Sequence, residues 1–125
     1  MPDTIILSPL PKTWILDLDG TLVRHNGYKL DGQDTLLPRA REFLANIQPN
    51  DLVIIVTSRT EEYREMTLDF LRGQNIRYDH IIFGAPYGER IVVNDRKPSG
   101  LPMSVAVNTA RDAVPDTVFK VDEAL

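Results

Sequence analysis

Apolar and polar positions divide the chain into short blocks. Residues 13–18 (TWILDL) form an almost wholly apolar run, the pattern of a strand buried on both faces. Residues 20–34, rich in glycine, asparagine and aspartate, read as a loop or a small hairpin. From Pro38, the apolar residues Ala40, Phe43, Leu44 and Ile47 recur at helical spacing, with proline suited to the first turn. Residues 51–57 (DLVIIVT) are the most hydrophobic run and predict a central strand. A second helix follows, with Tyr63, Met66, Phe70 and Leu71 on its period, acids in its first turn and Gly73 near its end. Residues 78–84 and 90–95 read as further short strands and residues 103–108 as a fifth, while the stretch after Pro115 has no clear pattern. Trp14 and Phe43 are expected in the core.

Strands alternating with helices predict an α/β fold around a mainly parallel sheet. In such sheets ligands collect outside the carboxyl ends of the strands. The polar tips are therefore the places to look. The first strand ends in Asp17 and Asp19, the second in Thr57, Ser58 and Arg59, and the fourth in Asn94 and Asp95. Unpaired carboxylates at a buried strand tip are costly. Three of them close together raise one another's pKa unless a cation stands between. An all-oxygen set of this kind suits Mg²⁺, and a hydroxyl with an arginine nearby supplies donors for phosphate oxygens. The constellation reads as a phosphoryl-transfer site.

Composition narrows the partners. At 125 residues the chain has room for one domain with its own core, and residues 1–125 are expected to form it. The net charge of −4 argues against general binding to nucleic acid or to an anionic membrane. A local basic patch would still admit a nucleic-acid end as substrate. With no cysteine, disulfides, thiolate metal sites and cysteine nucleophiles are excluded. The opening MPDTIILSPLPK lacks the basic region of a secretory signal, and no stretch approaches the roughly 20 apolar residues of a membrane helix. A cytoplasmic location without a membrane segment is the expectation.

The motifs carry a resemblance. DLDGTLV (17–23) resembles the first motif of the haloacid dehalogenase (HAD) superfamily, an apolar strand followed by Asp-x-Asp-Gly-Thr. VIIVTSR (53–59) resembles the second, an apolar strand ending in Ser or Thr, and IVVND (91–95) the fourth, an apolar strand ending in one or two acids. They occur in the family's order within residues 13–95. The resemblance implies a three-layer Rossmann-like sandwich with about five strands. The short spacing between the motifs leaves no room for a cap domain. It also implies a Mg²⁺-dependent phosphatase. Asp17 would be the nucleophile, forming an aspartyl-phosphate. Asp19 would protonate the leaving oxygen and then activate water. Mg²⁺ would be held by the carboxylates of Asp17 and Asp95 and the backbone carbonyl of Asp19. Thr57 would give its hydroxyl, and Ser58 its amide, to a phosphate oxygen.

The third motif departs from the family. Related short phosphatases show Gly-Lys-Pro-Tyr-Gly, where this chain has GAPYG with Ala85 in the lysine's place. Arg90 is the first substitute and Lys97 the second. The fourth motif has Asn94 before Asp95 rather than a second acid. One cation and one anion lost together are compensatory, or they mark a weak or inactive phosphate-binding scaffold, the alternative function. Arg59 stands evenly between phosphate binding and pairing with Glu61 or Glu62. His25, in the flap formed by residues 25–30, is more a flap residue than a ligand. Uncapped relatives act on exposed phosphates or borrow a cover from a partner, so a homo-oligomer is a candidate assembly. Similarity to short phosphatases of capsular polysaccharide synthesis favours a sugar phosphate. Similarity to the phosphatase half of polynucleotide kinases keeps a nucleic-acid end second. A phospho-acceptor receiver domain is rejected, because it needs an aspartate after the third strand and a lysine after the fifth, where IIFGAP and Asn108 stand.

Overall fold

The most hydrophobic run becomes the middle of a parallel sheet. The computed structural model describes residues 3–125. In chain order it contains β1 (Thr4–Leu7), β2 (Thr13–Leu16), α1 (Gly27–Leu30), α2 (Ala40–Leu44), β3 (Leu52–Val56), a 3₁₀ turn (Glu61–Tyr63), α3 (Arg64–Gly73), β4 (His80–Ile82) and β5 (Val118–Val121). One sheet has the order β2-β3-β4 and a second pairs β1 with β5, and every ladder is parallel. The architecture is mixed α/β.

Burial along β3 alternates, with Val53 and Ile55 fully buried and their neighbours less so. The central strand therefore gives one face to the core. On that face, Val53 and Ile55 cluster with Leu16, Leu18, Phe43 and Leu71. Leu71 lies on α3, whose interior has no glycine or proline and whose first turn carries Glu65. The second sheet joins the same core through Phe119 of β5, whose ring meets Trp14 edge-on at 5.3 Å.

The entry to β3 is fastened by carboxylates. Asp51 accepts from the Lys12 amide, the Gln48 amide and Trp14 Nε1, all at 2.9 Å. Asp79 accepts from the Val53 amide at 2.8 Å. Burial pushes the Asp51 carboxyl upward in pKa, but the two amide bonds and Trp14 outweigh it and hold it below the usual range. The folded carboxyl thus titrates below its unfolded value near about 3.9. Its contribution is complete above that value and is lost as pH falls through the folded pKa. Asp51→Asn is expected to cost about 2 kcal/mol at about pH 5, and the gap to wild type should narrow in melts as the pH is lowered below the unfolded carboxyl pKa.

Several sequence expectations do not hold. The single sheet of about five strands is instead a sheet of three and a sheet of two. Residues 90–95 and 103–108 form no strand, and Ile91 and Val93 are 84% and 90% exposed. An apolar run becomes a strand only when a neighbouring edge takes its backbone bonds, and composition does not reveal that edge. The strand expected over 78–84 shrinks to His80–Ile82. The helix starting at Pro38 shrinks to α2, entered through Arg39 at φ 68°. The loop of residues 20–34 contains the short α1. The tail finds its place as β5 only because β1, more than a hundred residues earlier, offers an edge.

Candidate active site

Beyond Leu16 the β2 chain enters a tight loop built around one carbonyl. The Leu18 oxygen accepts from the amides of Thr21, Leu22 and Val23 at 3.2, 3.0 and 3.2 Å, and the Gly20 amide donates to the Val23 oxygen at 2.7 Å. Gly20 takes φ +83°, a conformation that side chains disfavour. The buried Leu18 anchors the loop, and Asp17 and Asp19 on either side of it are only partly covered.

The two carboxylates face different partners. Asp17 accepts from Arg90 Nη1 at 2.8 Å and from Thr21 Oγ1 at 2.9 Å. Both members of the Asp17–Arg90 pair are over a third exposed, so water screens it. Asp19 is clamped by Arg59 through Nε at 3.0 Å and Nη2 at 2.9 Å. Arg59 also donates to Asp34 at 2.9 and 2.6 Å and to Thr67 Oγ1 at 2.9 Å. Five N–H groups meet five acceptor contacts, the full capacity of a guanidinium. The Tyr28 ring lies 3.9 Å from Arg59 Cζ, a cation–π contact that closes the remaining side. Burial alone would pull the Arg59 pKa down, but bonds and charge from Asp34 and Asp19 drive it further above its ordinary value. The side chain stays charged with no exposed surface.

Arg59 is therefore not left for phosphate, and it does not pair with Glu61 or Glu62. Glu61 instead accepts from Arg64 at 2.6 and 2.7 Å. Thr57 is buried and its Oγ1 accepts from the Arg59 amide at 3.1 Å, keeping its own proton to donate. Ser58 Oγ donates to the Pro86 oxygen at 3.4 Å. The Lys97 amide donates to the Leu101 oxygen at 3.0 Å. Asn94 Nδ2 donates to its neighbour Asp95 at 3.3 Å. The His25 amide donates to Asp112 Oδ1 at 2.7 Å, and His25 Nδ1 is buried without a partner.

Part of a magnesium shell fits this arrangement. The Asp17 carboxylate and the Asp19 carbonyl are hard oxygen donors on one loop, and among the described residues no backbone amide donates to that carbonyl. Among the described residues no three His, Cys, Asp or Glu side chains meet as a metal cage. Residues 90–95 form no strand, so Asp95 lies on an exposed segment.

Sequence reasoning did not find Asp34, Tyr28, Thr67, Thr21 or Asp112. Tyr28 and Asp34 lie in a stretch without periodicity, and no spacing marks them. The one available signal was Arg59 itself, a cation flanked by buried runs that must find acids once it is enclosed.

No profile of a known protein family matches the chain, and no curated protein does. Two solved structures do, both of the Pnkp1/Rnl/Hen1 RNA repair complex. Each matched chain is 34% identical, with 65% and 66% of this chain covered at TM-scores of 0.51 and 0.52. This chain spans 28% and 31% of the chains it matches, less than a third of their length. No helix among the described residues is long and apolar enough to cross a membrane. The chain is similar in fold and sequence to part of a protein found in an RNA repair assembly.

Proposed function

We propose that this chain is a Mg²⁺-dependent phosphomonoesterase of the HAD type that acts on phosphorylated RNA ends. The observation that carries the reading is the division between the two aspartates. Asp17 is open to solvent on a tight loop, while Asp19 is held by a buried, fully bonded Arg59. A nucleophile needs access, and a proton shuttle needs a fixed orientation. The likeness to RNA repair chains moves the preference from a sugar phosphate to an RNA end.

In this reading an Asp17 oxygen attacks phosphorus, and the bond to the leaving oxygen breaks. Asp19 supplies the proton to that oxygen. Water then attacks the aspartyl-phosphate, Asp19 takes its proton, and inorganic phosphate leaves with Asp17 restored. A carboxylate has about four lone-pair sites. Arg59 occupies two of those on Asp19, and the others serve proton transfer. Arg90 next to Asp17 supplies positive charge where the third motif lacks its lysine. Asp17 and the Asp19 carbonyl would hold Mg²⁺, which neutralises phosphate charge so that an anionic nucleophile approaches.

The test is release of inorganic phosphate by the purified protein with Mg²⁺ from an aryl phosphate, sugar phosphates, and RNA phosphorylated at its 3′ or 5′ end. The expected result is turnover that a chelator stops, with kcat/KM highest for an RNA end. Higher kcat/KM for a sugar phosphate would restore the small-substrate reading. No release from any substrate would leave the phosphate-binding scaffold.

A further inference from the structure

Arg111 stands apart from the other arginines of the chain. Of ten arginines in the sequence, nine donate a hydrogen bond to a protein acceptor and Arg111 donates none among the described residues. A single unpaired surface arginine is ordinarily just solvated. Here its stem is seated: a Cβ placed on Gly20 would lie 3.2 Å from Arg111 Cγ, tighter than most real contacts. Gly20 directly follows Asp19, so the absence of a side chain there admits Arg111 against the acidic loop.

The backbone around Arg111 is held on both sides. The Asp112 amide donates to the Gly20 oxygen at 2.8 Å, and Asp112 Oδ1 accepts from the His25 amide at 2.7 Å. Asp112 itself takes φ 64°, a left-handed conformation that Asp tolerates better than most residues. Thr109 Oγ1 closes the turn by donating to the Ala113 oxygen at 2.8 Å. A residue about 90 positions downstream is thus clipped to the aspartate loop and the flap together. The buried, unpartnered Nδ1 of His25 lies on the same glycine, 3.7 Å from that Cβ position. The guanidinium of Arg111 is thus a donor without a protein acceptor among the described residues, carried on a stem seated against the aspartate loop.

Resting on the reading of an RNA-end phosphatase, we infer that Arg111 binds the phosphodiester next to the terminal phosphate, making the site prefer a polynucleotide over a free mononucleotide. Asp17 and Asp19 handle the scissile group, while Arg111 supplies a planar, two-pronged donor for the adjoining linkage. The clip through Asp112 keeps the root of that side chain beside the aspartate loop.

Two measurements on the full chain test this. The first compares KM for a short terminally phosphorylated RNA with KM for the corresponding mononucleotide phosphate. Arg111→Ala should raise the RNA KM roughly tenfold with little change in kcat, narrowing the difference between the two substrates. Arg111→Lys should recover part of it. The second measures binding of the same RNA in Asp17→Asn by fluorescence anisotropy across a salt series. Adding Arg111→Ala should make the salt slope shallower by about 0.7, one phosphate contact on a single strand. An equal loss on both substrates, or no change in KM and slope, would overturn the inference. If wild type hydrolyses no RNA end, the functional reading fails, while the binding series still decides whether Arg111 contacts a backbone phosphate.

Discussion

Asp17→Asn is expected to reduce phosphate release by roughly a thousandfold or more, the largest effect on activity of any single change in this chain. The amide is isosteric but a poor nucleophile, so no aspartyl-phosphate forms. The loss should fall on kcat. Stability should barely move, because the pair with Arg90 is exposed and screened and an exposed pair contributes about 0–1 kcal/mol. Thr21 Oγ1 still finds an oxygen to donate to. Phosphate release and a thermal melt, made on the same preparation, check both halves. Retained turnover in a folded Asp17→Asn protein would remove Asp17 from its role, and a large fall in melting temperature would show that the side chain is structural.

Arg59→Met should have the largest effect on stability, about 3–5 kcal/mol, because it leaves charged Asp34 and most of Asp19 enclosed without a partner. Five hydrogen-bond contacts and the Tyr28 stacking disappear together. Denaturant melts at neutral pH measure the cost. Adding Asp34→Leu should recover part of it, since the second change removes one stranded charge and the two sites share one network. Arg59→Lys is the more informative variant for catalysis. An ammonium has three donors and no planar fork, so it cannot clamp Asp19 while also serving Asp34 and Thr67. Its kcat should fall while KM changes little, the mark of a positioning residue that never touches substrate. A Lys variant with full kcat would reduce Arg59 to a structural cation.

These two residues show how differently parts of the site could be read in advance. Asp17 and Asp19 were legible because the chemistry is local: an apolar strand, two acids one residue apart and a glycine for the turn lie within one short stretch. The place of Thr57, at the tip of the most apolar run, was legible for the same reason. Arg59 was visible as a residue but not as a function. Its partners Asp34, Thr67 and Tyr28 come from a loop and a helix that sequence spacing does not link to it. Enclosing a guanidinium requires acceptors on every side, and only the folded chain shows which acids arrive. The strand expected over residues 90–95 failed on the same ground, since its apolar side chains carry no information about which edge receives them.

The sequence by itself determined the helix of α3, the strands β2, β3 and β4, and the chemical character of the first strand tip. Those features depend on side-chain period and on neighbours a few positions apart. The tertiary structure alone decided that β1 pairs with β5, that Arg90 rather than Lys97 donates to Asp17, that Arg59 lies beneath Asp19, and that the turn bearing Arg111 is clipped to Gly20 and His25. Each of these joins residues tens of positions apart. Such contacts are set by which surfaces meet when the core closes, a property of packing that no local pattern encodes.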